Sequence, residues 1–114
     1  MSYENIELHD ANLKSTSVNY VAKIVAFEID YYLTDKAKQR VSTTFKFSAV
    51  SNYNENSSIK ELLTHSKVGG NISYWVPALK AGTTYFYLAQ GFISITAKSI
   101  EVINHAYPPI KGTR

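Results

Sequence analysis

The chain has 114 residues, no cysteine, and a formal charge of +3 from 12 basic and nine acidic side chains. A chain of this length buries about two-thirds of its unfolded surface and can fold as one domain without covalent crosslinks. The missing cysteines exclude disulfide frameworks, zinc–thiolate sites, iron–sulfur clusters and cysteine nucleophiles. The small, lysine-rich charge excess permits a nucleic-acid partner without requiring one.

Targeting signals and membrane spans are not evident in the sequence. Residues 1–14 are acidic and polar, whereas a secretory signal has a basic start followed by an apolar stretch. No apolar run approaches the roughly 18 residues that a membrane-spanning helix needs. We therefore expect a cytoplasmic protein without a membrane partner.

The first half of the chain follows the period-two alternation of β-strands. A weak strand is predicted at residues 5–13, and a longer run follows at residues 18–33. The inward set of this run is Val25, Phe27, Ile29 and Tyr31. Its first part has the opposite parity, so we expect a bulge or a sharp bend near residues 22–26.

The clearest alternation lies at residues 40–50, after a polar turn at residues 34–39. One face of this segment carries Val41, Thr43, Phe45, Phe47 and Ala49. The other face is polar, which is typical of a strand with one buried side.

One short helix is predicted at residues 58–66. Ser58 stands three residues before Glu61, which is the capping-box spacing, and Ile59, Leu62 and Leu63 form one apolar stripe. Glycines 69 and 70 follow and favour termination. So short a helix must pack on a sheet, because it is not stable alone in water.

Three further strands are predicted in the second half, at residues 71–78, 83–95 and 99–104. Gly91 inside the second of these indicates a bulge or a close backbone approach. Residues 1–104 are thus expected to form one β-barrel-like domain, followed by an extended tail at residues 105–114.

This order of strands, one helix and more strands carries a resemblance at the level of the fold. With the segments KVGG, NISYWVPAL and AQGFISI, residues 17–104 resemble the OB-fold family, which includes single-stranded-DNA-binding proteins. The resemblance implies a mostly β protein, a small barrel of five to six strands with one short helix. The acids Glu28 and Asp30 depart from the family, because they lie where a binding face is expected.

No catalytic or metal-binding constellation emerges from the sequence. None of the histidines His9, His65 and His105 accompanies a strained nucleophile turn. Glu28 and Asp30 share one strand face, and pairing with Arg40 or Lys46 on the next strand explains them better than acid–base catalysis. We expect a non-enzymatic binding module without a cofactor or a metal.

The first functional hypothesis is binding of single-stranded DNA or RNA. Such proteins combine rings that stack on bases with cations that contact phosphates. The candidate residues are Tyr31, Tyr32, Lys36, Lys38, Arg40, Lys46, Tyr74 and Trp75.

A protein-interaction or self-assembly module, with a protein partner or a homo-oligomer, is the alternative. The segments around residues 74 and 86 are apolar on both parities, so one face is either covered by a second layer or exposed as an interface. The candidate interface residues are Trp75, Tyr85, Phe86 and Tyr87. A small ligand-binding barrel or an enzyme is the third reading.

Overall fold

The computed structural model describes residues 6–33, 39–57, 71–89 and 91–105, and this part of the chain is mostly β, as predicted. The strands are β1 (Ala11–Asn19), β2 (Ile24–Tyr31), β3 (Val41–Ser48), β4 (Asn52–Ser57), β5 (Asn71–Val76), β6 (Gly82–Leu88), β7 (Gly91–Ala97) and β8 (Ser99–Asn104). The helix predicted at residues 58–66 lies outside the described residues. Within the described ranges, no helix has the length and apolar character needed to cross a bilayer.

The strands form one antiparallel sheet in the order β4-β7-β6-β5-β1-β2-β3-β8. The predicted barrel of five to six strands is not confirmed, because the sheet has eight strands and β4 and β8 stand at its two opposite ends. The two additional strands come from the division of the predicted run at residues 83–95 into β6 and β7, and from β4, a polar segment in which the sequence predicts no strand.

The sheet folds over on itself into two layers. Strands β1, β2, β3 and β8 form the first layer, and β4, β5, β6 and β7 form the second. Rings from the two layers meet in the core, since the centroids of Phe27 and Phe86 are 5.2 Å apart and those of Phe45 and Trp75 are also 5.2 Å apart. The molecule is therefore a two-layer sandwich with an aromatic centre.

The alternation predicted for the centre of the first layer is confirmed. The inward residues of β2 are all buried: Val25, Phe27, Ile29 and Tyr31. On β3, Thr43, Phe45 and Phe47 are fully buried, whereas Ala49 lies past the end of the strand and is exposed. The two strands pair in register, with Phe27 opposite Phe45 and Val25 opposite Phe47.

The parity switch near residues 22–26 comes from a hairpin turn and not from a bulge. β1 ends at Asn19, and Ile24, its pairing partner, begins β2. The side chain of Asn19 accepts a hydrogen bond from the backbone N–H of Ala22 at 3.0 Å, and Lys23 has a left-handed φ of 59°. These two features close the turn.

β4 is the strand that the sequence analysis missed. It carries three asparagines, a residue type that is depleted in strands, and Tyr53 is its hydrophobic residue that packs against the core. A second division separates β6 from β7, whose ends Leu88 and Gly91 pair with each other. Gly91 therefore begins a strand and does not form the bulge predicted inside one.

The two layers join at a short seam between β1 and β5. Only Ala11 and Asn12 of β1 pair with β5, opposite Ile72 and Asn71. The segment before β1 covers this seam: Leu8 is fully buried, and the Ile6 carbonyl accepts a hydrogen bond from the Trp75 indole N–H at 2.9 Å. The layers are thus connected by few backbone bonds and held together mainly by core packing.

Strand connections follow the same plan in each half of the chain. β1, β2 and β3 form a meander, and then β4 crosses to pair with β7 in the second layer. β5, β6 and β7 form the other meander, and then β8 crosses back to pair with β3. The two crossovers meet, since the Lys98 N–H donates to the Ser48 carbonyl at 3.1 Å and the Ser51 N–H donates to the Thr96 carbonyl at 2.9 Å.

Phe86 contacts rings of both layers, so its removal should be costly. We expect Phe86→Ala to lower the free energy of unfolding by about 3–5 kcal/mol, because the surrounding rings cannot collapse into the space left. Chemical denaturation measures this change. Leu79→Ala is the control: Leu79 is 61% exposed, so a loss within about 0.5 kcal/mol is expected. Equal losses in the two variants would contradict the proposed role of Phe86.

Candidate interaction surface

The outer side of the second layer carries a row of aromatic side chains. On β6, inward Thr84, Phe86 and Leu88 alternate with outward Thr83, Tyr85 and Tyr87. Tyr74 on β5 and Phe92 on β7 are the neighbours of Tyr87 across the sheet. We call the set Tyr74, Tyr85, Tyr87 and Phe92 the tyrosine face.

The rings of the tyrosine face stack on one another. Tyr74 and Tyr87 have centroids 4.5 Å apart with an interplanar angle of 20°, and Tyr85 and Phe92 are stacked at 5.9 Å and 29°. Tyr87 also lies 5.3 Å from Phe92. Most ring faces therefore cover each other, while Tyr74 at the end of the row is 50% exposed. Such stacking contributes about 0.5–1.5 kcal/mol per pair beyond area burial.

Among the described residues, the outward strand positions around the tyrosine face are uncharged. By strand alternation and register, the other outward strand residues of the second layer are Asn52, Asn54, Asn56, Val76, Thr83, Ser94 and Thr96. Glu55 has the opposite parity and accepts a hydrogen bond from the hydroxyl of Tyr53, whose ring packs against the core. The face is thus aromatic, with amides and hydroxyls on the neighbouring outward strand positions.

The outer side of the first layer has a different character, because its charges are mixed. Lys14 and Asp30 form an ion pair at 3.6 Å. The Thr44 hydroxyl contacts both Glu28 carboxylate oxygens at 2.9 Å and His105 Nε2 at 2.6 Å. The expected pairing of these acids with Arg40 or Lys46 is wrong, because the register places Ser42 and Thr44 opposite Asp30 and Glu28.

The polar cluster of Glu28, Thr44 and His105 is exposed and ties the end of β8 to β2 and β3. It lies on an open sheet surface and not in a cleft, so it fits a structural contact. Among the described residues there is no group of three or more acidic or histidine side chains placed to hold a metal ion.

Several residues predicted to lie on a binding surface are instead in the core. Tyr31 is 3% exposed, Trp75 is 7% exposed and Phe86 is 2% exposed. The Trp75 ring stacks on Phe86 at 5.6 Å and contacts Phe45, so Trp75 and Phe86 lie on the inward side of their strands. These three side chains therefore hold the layers together and do not contribute to a surface. Of the predicted interface residues, Tyr85 and Tyr87 lie on the outer side.

The predicted cations do not gather around the exposed rings. Lys46 lies on the outer side of the first layer opposite Glu101, whereas Tyr74 lies on the outer side of the second. Arg40 is placed over the Tyr32 ring at 4.6 Å from its centroid and donates to the Asp10 carbonyl at 3.1 Å. Lys36 and Lys38 lie outside the described residues. Tyr32 and Arg40 are thus the one predicted ring–cation pair that the described residues bring together.

Phe92 is the surface residue that the sequence analysis missed. The sequence pattern predicts one strand at residues 83–95. In a single strand, Phe92 would lie five positions along the chain from Tyr87 and not beside it. The signal was available at Ala89 to Gly91, because a hairpin there pairs Phe92 with Tyr87 and continues the row of rings onto β7.

Two tyrosines have raised pKa values. Burial raises the pKa of Tyr31, although hydrogen bonds with Asn104 and Thr43 act in the opposite direction. Burial and the neighbouring Glu55 carboxylate raise the pKa of Tyr53 far above that of free tyrosine. Both hydroxyls therefore stay protonated in the folded protein at pH values where an unfolded chain loses the proton.

Comparison with known proteins gives no relative for this fold and surface. No protein-family model, no curated protein and no solved structure matches the chain.

The raised pKa of Tyr53 makes stability depend on pH in the alkaline range. Below about pH 10 both states hold the proton, and above it the unfolded state releases the proton first, so the free energy of unfolding falls as pH rises. Urea denaturation at about pH 9 and about pH 11 measures this fall. We expect a smaller fall in Tyr53→Phe, which has no ionisable hydroxyl. Tyr32→Phe is the control, and an unchanged fall in Tyr53→Phe would contradict the assignment.

Proposed function

We propose that this protein is a non-enzymatic self-assembly module whose tyrosine face packs against the same face of a second copy. The observation that carries the proposal is the stacked, uncharged row of Tyr74, Tyr85, Tyr87 and Phe92 on the outer side of the second layer. Two sheets pack face to face when each offers apolar side chains and no unpaired charge. Tyrosine and phenylalanine are enriched at such interfaces.

Charge favours the outer side of the second layer over that of the first as the contact between two copies. Two chains that each carry +3 repel one another, and the repulsion is least where the touching surfaces carry no charge. The outward strand residues of β4 to β7 meet this condition, while the outer side of the first layer, with Lys14, Asp30 and Glu28, does not.

Hydrogen bonding favours the same partner. On the described strand positions around the tyrosine face, the outward polar groups are hydroxyls and amides, which both donate and accept hydrogen bonds. A face of this kind is complementary to its own copy, because each donor can find an acceptor after a two-fold rotation. The covered ring faces also favour a protein partner over stacked bases, since a base needs a free ring face.

Sedimentation equilibrium over a range of protein concentrations tests the proposal. We expect reversible self-association, and we expect Tyr74→Ser with Tyr87→Ser to weaken it at least tenfold, about 1.4 kcal/mol, because the stacked centre is lost. Ile103→Ser is the control, since Ile103 is 37% exposed on the outer side of the first layer. A chain that stays monomeric throughout, or a dimer that the tyrosine substitutions leave unchanged, would refute the proposal.

Binding of single-stranded nucleic acid is the second candidate, in keeping with the OB-fold resemblance. One observation favours it: the Arg40 guanidinium lies over the Tyr32 ring, and Lys36 and Lys38 stand between these two residues in the sequence. Rings beside cations are the elements of a single-strand site. The site would be confined to this end of the first layer.

A titration with labelled single-stranded DNA at two salt concentrations tests this candidate. Three phosphate-contacting cations predict a slope of log affinity against log salt of about −2, and Arg40→Gln should reduce its magnitude by about 0.7. Lys98→Gln, a substitution at an exposed residue between β7 and β8, is the control. No binding at low salt, or an identical slope in Arg40→Gln, would rule out the site.

A further inference from the structure

The turn between β1 and β2 presents two bulky apolar side chains to solvent. Tyr20 is 85% exposed and Val21 is 95% exposed. Hairpin turns usually carry glycine, asparagine, aspartate or serine at such positions, because solvent surrounds them. Two adjacent apolar residues at an apex are therefore unusual, and they form an exposed apolar projection.

The apex is held in a defined shape by its surroundings. The Asn19 side chain accepts a hydrogen bond from the Ala22 N–H at 3.0 Å, and the Lys23 carbonyl accepts one from the Val50 N–H at 2.9 Å. The second bond fixes the turn to the crossover between β3 and β4. A preformed apex loses little conformational entropy when it enters a complementary site.

A cavity of about 290 Å³ lies beside this turn, where the two layers open. Its apolar wall is formed by Val18, Ile24, Val25 and Val50, and Ser51 and Tyr53 complete the other side. The volume is far above that of one water and has room for an aliphatic side chain. A convex apolar apex and a concave apolar cavity thus occupy the same corner of the molecule.

We propose that Val21 of one chain inserts into this cavity on a second copy, while the second copy returns the same contact. When a projection and its complementary cavity are neighbours on one surface, a two-fold rotation places each projection in the other cavity. Tyr20 belongs to the turn and also lines the cavity, so the Tyr20 side chain of the receiving copy covers the inserted Val21. The contact does not involve the tyrosine face, which lies on the outer side of the second layer.

A second copy accounts for both features of the corner, whereas a lipid surface accounts for one. A bilayer would take up Tyr20 and Val21 and leave the cavity without an occupant. Among the described residues that line the cavity, Lys23 is the one with a charge. It is exposed, so its ammonium group can stay in water when the apex is buried.

Because the chain has no cysteine, a directed disulfide tests the contact cleanly. Val21→Cys and Ser51→Cys are made in separate chains, one carrying a mass tag, and are mixed with oxidised glutathione as the oxidant. We expect the mixed disulfide to form at least tenfold faster than in a control mixture of Leu79→Cys with Ser51→Cys. Leu79 is also exposed, at 61%, but lies on the turn between β5 and β6.

Three outcomes would overturn the proposal. The first is equal reaction rates in the two mixtures. The second is faster formation of a Val21→Cys homodimer than of the mixed disulfide, which would mean that the apices meet each other. Binding of the unmodified chain to phosphatidylcholine–phosphatidylserine vesicles that Val21→Ser abolishes, without a fast mixed disulfide, would assign the apex to lipid.

The result is separable from the fate of the tyrosine face. The same pair of cysteine variants is made in the Tyr74→Ser, Tyr87→Ser background, where the proposed sheet-to-sheet dimer is lost. We expect the mixed disulfide to form at an unchanged rate there. A rate that falls to the control level in this background would show that the corner contact has no existence of its own.

Discussion

The structure depends on contacts between aromatic rings of two layers that share little backbone pairing. Phe27 and Phe45 from the first layer meet Phe86 and Trp75 from the second, while the seam between β1 and β5 has only two paired positions in each strand. Strand alternation then decides the outer surfaces: with Phe86 inside, Tyr85 and Tyr87 must face out. The surface that we propose for self-assembly is therefore a consequence of how the core is packed.

Much of the first layer could be read from the sequence, because only one parity of β2 and of β3 is apolar. For the segments around Trp75 and Phe86, the sequence does not indicate which parity faces the core, because both parities carry large rings. The position of the other layer decides which side is covered. β4 could not be predicted because it has too few apolar residues. Its asparagines are typical of a loop, and its pairing with β7 depends on residues far away in the sequence. The position of Phe92 in the tyrosine face also depends on strand pairing, because the register of β6 and β7 places it opposite Tyr87.

Charge is distributed unevenly over the described outer surfaces of the two layers. Ion pairs and acid–hydroxyl contacts occupy the outer side of the first layer, which suits contact with water. The second layer offers hydroxyls and amides around its rings. The corner at Tyr20 and Val21 is distinct from both. A chain with two independent two-fold contacts can alternate between them and extend into a linear array, whereas either contact alone closes as a dimer.

The exchange of strands between the two halves of the chain has a consequence for folding. β4 belongs by sequence to the first meander but completes the layer of the second, and β8 does the reverse. Neither half can finish a layer with its own strands, so the backbone bonds of β4 and β8 are satisfied only when both halves are present. Contacts of such long sequence separation slow folding and delay the protection of edge strands until the whole chain has been synthesised. We therefore expect the chain to be most prone to aggregation when only the first half has been synthesised, because the backbone groups of β4 are then unpaired.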